Sequence, residues 1–396
     1  MSEQTQKRGP FSRSYAAYLL AFLGAMSAFG PFVTDMYLPS LPAMTKEFAA
    51  TVAEVQSGIS TSLIGLAVGQ FLFGPLSDKY GRRPLMVWPL VMFCLATVAD
   101  IFAPTITTFN VFRFFQGVGG AGGIVLSRSV ATDCYSGRDL VRTMAIIAAI
   151  NGVAPVTAPL VGGFVSASFG WKGVFVVLLG IGVSLLAMTA RIHESLPREA
   201  RFKGTYAELY GGFIRLLRDR VYLGFVLISA LANGVLFSYI ASSSFIVQST
   251  YGIGEMTFGI IFGINAVAIM VGSALSLKFS NLLTGIWIGG AMAAVCVLIL
   301  VGNSMAIHNF WIYESATWVC LFGLGMILPS VSSLAMDSGR YAIGAASALL
   351  GGLGFAMGGI VSPLCGLGDM NLTSAALMAA CALLLLVCTR MASHRL

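Results

Sequence analysis

Charge is what this chain has least of. Only 10% of its 396 residues are Asp, Glu, Lys or Arg, while 57% are hydrophobic; a soluble domain carries about a quarter of its residues charged. No water-soluble core could hide so much apolar side chain, so lipid is the expected solvent. Histidine is scarcer still: His193, His308 and His394 lie in or beside polar stretches, without a partnered catalytic arrangement. The cysteines, at 94, 134, 296, 320, 365, 381 and 388, fall mostly inside apolar runs and lack the paired spacing of a zinc site or a disulfide framework. No G-x-x-x-x-G-K-[ST] phosphate loop is present, which argues against work driven by the chain's own nucleotide hydrolysis. Neither a cofactor, a metal nor an enzymatic activity is expected. The net charge of +7 forms no compact basic patch, because Lys and Arg are strung between apolar runs, so no nucleic-acid partner is expected either.

What the chain has in abundance is apolar runs near the ~20 residues that cross a bilayer as helix. They fall at 15–38, 55–76, 85–103, 107–131, 141–166, 171–190, 221–247, 256–278, 284–303, 310–335, 342–366 and 371–391. This predicts an all-α integral membrane protein of about twelve spans. The first run follows Lys7, Arg8 and Arg13 and is longer than the ~7–15-residue core of a signal peptide, so it reads as a retained span.

Cytoplasmic loops hold the excess of Lys and Arg. With the N-terminus inside, the cytoplasmic segments collect Lys79, Arg82 and Arg83, then Arg128, Arg138 and Arg142, the basic residues of 191–220, and Lys278, Arg340, Arg390 and Arg395. Lys46 and Lys172 fall outside, and Arg113 falls within the fourth run. The even count places both termini in the cytoplasm. The single long connection, 191–220, predicts a six-helix half at 1–190, a cytoplasmic linker and a second half at 221–396. A faint repeat supports two parallel halves: "PLVG" from Pro159 is echoed by "PLCG" from Pro363, and "GVG" from Gly117 by "GLG" from Gly323.

Four charges interrupt the oil at "GPLSDKYGRRPL", residues 74–85, between the second and third runs. Gly74 permits close helix approach, Gly81 can take the positive φ of a tight turn, and Pro84 suits the first turn of the next helix. Asp78 can accept backbone N–H bonds or face a helix N-terminus, while Arg82 and Arg83 can bridge to acids or lipid phosphate. Asp35 is a carboxylate inside the first run, where charge is costly and marks a functional candidate. Asp100, Glu314 and Asp369 sit nearer run ends and read as interfacial. Arg113 needs a carboxylate, a backbone carbonyl or water as partner, and Gln116, one turn along, can share its network. In "NGVAPVTAPLVGG" Pro155 and Pro159 favour a kink, while Gly152, Gly162 and Gly163 allow close packing.

Several of these stretches resemble the major facilitator superfamily. "GPLSDKYGRRPL" is similar to its loop between helices two and three, "RFFQGVGGAGG" (113–123) to its fourth-helix motif, and "APVTAPLVGG" (154–163) to the fifth-helix motif of drug/proton antiporters. "TDMYLPSLP" (34–42) and "GAASALLG" (344–351) resemble signatures of the Bcr/CflA drug-resistance branch. The resemblance implies twelve helices in two halves around a midplane cavity, and a 74–85 loop that latches the halves through Gly74, Asp78, Gly81, Arg82 and Arg83. It further implies proton coupling through Asp35 and Arg113, a fifth-helix hinge or seal, and cavity walls from helices one, four, seven and ten. On those helices Phe32, Tyr37, Gln116, Asn233, Phe237, Tyr239, Trp318 and Phe322 are the expected ligand-facing residues. The implied function is proton-coupled export of small amphipathic compounds, such as phenicol- or bicyclomycin-type antibiotics, from a multi-pass protein of the bacterial inner membrane. Its partners are a small-molecule substrate, protons and the lipid bilayer, and a monomer is expected. A carrier for a nucleoside, sugar or amino-acid derivative stays open, as does a non-transporting receptor or channel.

Overall fold

The computed structural model describes residues 12–393; Lys7, Arg8, His394, Arg395 and the side chains of Arg13 and Arg138 lie outside the described residues. Hydrocarbon offers the backbone no hydrogen-bond partner, so each segment that enters it must bond to itself as helix. The helices are α1 (Arg13–Asp35), α2 (Leu41–Glu47), α3 (Val52–Tyr80), α4 (Arg82–Ile101), α5 (Ile106–Cys134), α6 (Gly137–Thr189) and α7 (Tyr206–Arg218), followed by α8 (Arg220–Phe245), α9 (Glu255–Ser276), α10 (Leu282–Gly302), α11 (Phe310–Ser338), α12 (Ile343–Cys365) and α13 (Met370–Ser393). Their starts are set by polar caps. Thr51 and Glu54 form a reciprocal capping box at α3, and Asn281 and Asn309 accept from the first free amides of α10 and α11.

The longest helix is two spans. Gly170 breaks α6 with φ 70° and ψ 179°, a backbone state that suits glycine. Before the break Ser166 pairs with Ser40, beyond the far end of α1, at 2.8 Å; after it the Met188 carbonyl accepts from Tyr18, near the start of α1, at 2.6 Å. The chain therefore runs up α1 and back down it. Among the described residues, 10 helical stretches are long and apolar enough to cross a membrane, and one of them is this bent pair. Helix α5, whose hydropathy is diluted by glycines, Arg113 and Gln116, completes the twelve-span pattern. The expected all-helical membrane fold is thus observed, with boundaries displaced by a few residues.

Helices α1 and α3–α6 pack into one group and α8–α13 into another. Within the first, α5 is the hub for α1, α3 and α4; within the second, α11 receives α9 and α10. Two long seams join the groups, α3 with α12 and α6 with α9. Small residues make the close approaches: a Cβ on Gly117 would strike the Ser62 carbonyl of α3, and one on Gly325 the Ile269 carbonyl of α9. The two motifs thus serve corresponding helix pairs with their positions exchanged, the first glycine of one (Gly117) matching the second of the other (Gly325).

A Gly117→Val protein has no room for its side chain against α3. We expect it to lose about 1–3 kcal/mol of stability, the usual cost of overpacking, read as a lower melting temperature in detergent. An unchanged melting temperature would show that α3 and α5 can part at this point.

Candidate functional site

A cavity of about 390 Å³ lies between the two groups. Its wall is mostly apolar, with Pro31 of α1, Phe237 of α8 and Phe262 of α9 facing Asp35, Asn233 and Tyr239. At Gln70, Ile124 and Arg128 it continues into a second cavity of about 400 Å³, which reaches Asp78 and Arg82 on one side and Gly344 and Ser347 at the start of α12 on the other. At the opposite end the halves are stitched together. Gln248 Nε2 donates to the Pro39 carbonyl at 2.8 Å, Ser244 Oγ to the Leu38 carbonyl, Gln56 Nε2 to the Ala241 carbonyl at 3.0 Å, and Ser60 Oγ to the Gly359 carbonyl. One end is closed, and the end that carries the basic loop is hollow.

Asp35 closes the last turn of α1, 4% exposed, on the cavity wall. Its Oδ1 accepts from the Thr34 hydroxyl at 2.8 Å. Arg113 does not reach the cavity. It is fully buried behind α1, where it donates to the Val33 carbonyl at 3.0 Å and to Gln116 Oε1, and lies over the Tyr37 ring at 4.2 Å and the Phe175 ring at 5.6 Å. Gln116 passes the chain on to Thr97 Oγ1 of α4 at 2.8 Å. The buried cation is held by carbonyl, amide and ring faces, and among the described residues no carboxylate lies within ion-pair distance of it.

The expected ligand-facing residues divide. Asn233, Phe237 and Tyr239 line the cavity. Tyr37 and Gln116 instead surround Arg113; Phe32 of α1 stands off the wall, and so do Trp318 and Phe322, because α11 turns Leu321 and Leu328 inward and leaves the Trp318–Phe322 stack to one side. Sequence reasoning missed Gln70, Asn151 and Arg128 as lining residues. Arg128 was counted as a loop charge, yet it stands within α5 and is exposed into the hollow; its place inside the fourth apolar run was the signal. Asp100, read as interfacial from its place near the end of its run, stands next to the last residue of α4 and is 0% exposed. Asp369 is exposed and Glu314 half-buried.

In the fifth span Pro155 lines the cavity, the Pro159 carbonyl faces Gly259 of α9, Gly162 lies against the Met36 carbonyl and Gly163 against Glu255, while Gly152 has open space around it. At the hollow end Gly81 has φ 100°, as a tight turn requires, whereas a Cβ on Gly74 would meet only the Val125 side chain, at an ordinary 3.6 Å. Arg82 Nε donates to Asp133 at 2.8 Å and its Nη1 to Asp78 at 2.6 Å. The linker straps this loop. Glu194 accepts from the free amides of Arg82 at 2.8 Å and Arg83 at 3.3 Å, Phe202 N donates to the Asp78 carbonyl at 2.9 Å, and Lys79 lies over the Tyr206 ring at 3.8 Å.

Two helix groups around a membrane-buried cavity that is closed at one end define the architecture of a secondary transporter. The Major Facilitator Superfamily profile matches residues 17–363, and the chain belongs to that family. It is 35% identical over 357 residues to the uncharacterized MFS-type transporter YdgK of Bacillus subtilis (strain 168), covering 88% of this chain and 89% of that one. The bicyclomycin resistance protein homolog of Haemophilus influenzae is 27% identical, with 90% of each chain covered, and multidrug resistance protein D of Escherichia coli is 28% identical, with 93% of this chain and 94% of that one covered. These names agree with the resemblance to the Bcr/CflA branch. Among solved structures, a bacterial homolog of the human lysosomal transporter Spinster, inward-facing and occupied, superposes with a TM-score of 0.74 at 17% identity over 97% of this chain and 98% of that one. The xylose transporter XylE of E. coli, partially occluded and inward open, gives 0.74 at 14% identity over 94% and 97%.

Removing the Arg82 side chain leaves Asp133, whose side chain is 15% exposed, without its cation. We expect Arg82→Ala to cost about 3 kcal/mol or more of thermal stability in detergent, as for other half-broken buried pairs. A loss below about 1 kcal/mol would mean that water and Ser195 satisfy Asp133 unaided.

Proposed function

We propose that this chain is a proton-coupled exporter of small amphipathic compounds, phenicol- or bicyclomycin-type drugs among them, that works by alternating access. The observation that carries this is one buried carboxylate, Asp35, on the wall of a largely apolar cavity of about 390 Å³ between the halves. Such a wall suits a ligand with a large apolar body and few polar groups. The names of the Haemophilus and Escherichia relatives support the drug reading.

In the proposed cycle the hollow, basic end is cytoplasmic in a bacterial inner membrane, with both termini on that side. The rocking bodies are 1–190 and 221–396, joined by the 191–220 linker. A drug enters from the cytoplasm or inner leaflet, the halves rock, and protonation of Asp35 from outside favours release, because a neutral carboxyl attracts a polar ligand group less than an ionised one. Arg113 grips α1 through the Val33 carbonyl and thereby ties the position of Asp35 to the rest of its half. Pro159 and Gly163 lie along the α6–α9 seam that must flex, while Pro155 lines the cavity and Gly162 packs on the Met36 carbonyl. Asp78 faces the start of α12 across the hollow, so closure would bring a carboxylate to a helix N-terminus, and Arg82 holds that carboxylate in place.

Purified protein in liposomes with an imposed pH gradient and an internal pH dye tests the reading. Chloramphenicol should trigger proton movement that collapses with the gradient, and Asp35→Asn should reduce it by about tenfold or more. Retained coupling in Asp35→Asn would remove Asp35 from the role. A response to nucleosides or sugars and to no drug would reassign the substrate.

A further inference from the structure

Arg128 is a cation that the cycle above does not use. It stands within α5, set back from the helix end at Cys134 by about 9 Å at the helical rise. Its side chain lines both the cavity of about 390 Å³ and the one of about 400 Å³ that continues it. Among the described residues it makes no ion pair and no hydrogen bond. A guanidinium keeps its charge in any protein environment, so its partner is water or something that enters the cavity.

Its surroundings offer donors and no free acid. Gln70 of α3 lines both cavities as well, is 5% exposed, and likewise makes no hydrogen bond among the described residues. A Cβ on Gly351 of α12 would strike the Gln70 amide, so the missing side chain there gives the amide its place on the wall. Asp78 lines the second cavity, but Arg82 holds it at 2.6 Å. Asp35 lines the first cavity alone, toward the closed end. Arg113 bonds the Val33 carbonyl two residues before Asp35, and from 113 to 128 helix α5 rises about 22 Å toward the hollow end. The acid and the cation thus stand too far apart to pair, and Arg128 is left facing the junction of the two cavities with its charge unmatched.

We propose that Arg128, with the Gln70 amide on the same stretch of wall, is a carboxylate-binding subsite, and that the cavity favours amphipathic compounds with one carboxylate at the end of an apolar body. A ligand that displaces water from a guanidinium leaves its donors unmatched unless it brings acceptors, which penalises an apolar end group and favours an anion. The two oxygens of a carboxylate match two parallel N–H groups of the planar fork. A single cation also sets the charge: it neutralises one carboxylate, whereas a dianionic phosphate would keep one charge uncompensated. The apolar body then extends toward Pro31, Phe237 and Phe262 on the wall of the first cavity. A role in export rests on the transport reading above; the recognition itself does not.

Calorimetric titration of the purified protein in a nonionic detergent, with 1-naphthylacetate and the uncharged 1-naphthylacetamide as probes, reads the subsite without a pH gradient. In the wild type the carboxylate should bind about tenfold or more tighter than the amide, as a charge-assisted hydrogen bond implies, and the preference should shrink as salt is raised. Arg128→Gln should bring the two affinities to within about twofold, while Arg128→Lys, which keeps the charge without the fork, should retain part of the preference. Equal affinities in the wild type, binding of neither probe, or a preference that persists unchanged in Arg128→Gln would overturn the proposal. If Arg128→Gln does not assemble, Arg128→Lys is read instead, and an undiminished preference there overturns it. A carboxylate preference in a protein that moves no proton with chloramphenicol would sink the antiport reading and support the subsite; proton movement with chloramphenicol and no carboxylate preference would do the reverse.

Discussion

Helices that meet in hydrocarbon gain nothing by hiding apolar side chains from each other, because lipid tails are as apolar as leucine. Contact must come from close packing, which is strongest where one backbone can touch another. Gly117 and Gly119 let α5 approach α3 and α4, and Gly325 and Gly323 let α11 approach α9 and α10. Each hub glycine excludes even a methyl group. Glycines make the seams between the halves as well: Gly259 and Gly163 bring α9 and α6 backbone to backbone, and Gly352 and Gly359 seat α12 against Phe71 and Ile64 of α3, with room left at one end for the hollow. Close helix approach within the halves and between them alike thus follows from where the glycines fall.

Within the first half the dominant electrostatic fact is a guanidinium with nowhere to lose its charge. Arg113 is fully buried, so everything around it is arranged as acceptor or ring face. Its bond to the Val33 carbonyl matters because that carbonyl is free to accept only where α1 nears its end, two residues before Asp35. The cation and the cavity acid are therefore joined through the backbone without touching.

The spans and the 74–85 loop were legible because they depend on local signals: apolar run length, a positive-φ glycine, a proline in the first turn of α4. Asp35 was legible as a charge inside such a run. Depth was not. Asp100 lies near the end of its own helix, and linear position assigns it to the interface. Yet the segment that links α1 to α3 and the bend of α6 close over this region, with Trp171 donating to Glu47 at 2.7 Å and packing on Phe48 and Phe109. Burial there is contributed by other helices, which no window along α4 can see. The linker shows the same limit. Its basic composition placed it beside a membrane surface, but its docking on Asp78, Arg82 and Arg83 depends on Glu194 and Phe202 meeting a loop more than a hundred residues away. Trp318 and Phe322 illustrate a third, since choosing a helix does not choose its face.

The closed end has a property that its short inventory of bonds conceals. Its acceptors are main-chain carbonyls, those of Leu38, Pro39, Ala241 and Gly359, and two of its donors are the serines Ser60 and Ser244. A serine hydroxyl on a helix can always turn back to the carbonyl one turn earlier. When the halves separate there, those donors need not wait for water, since each finds a replacement partner within its own helix. The seal can thus dissolve and reform with little stranded polarity on either side, as a zipper whose teeth retract into their own tape.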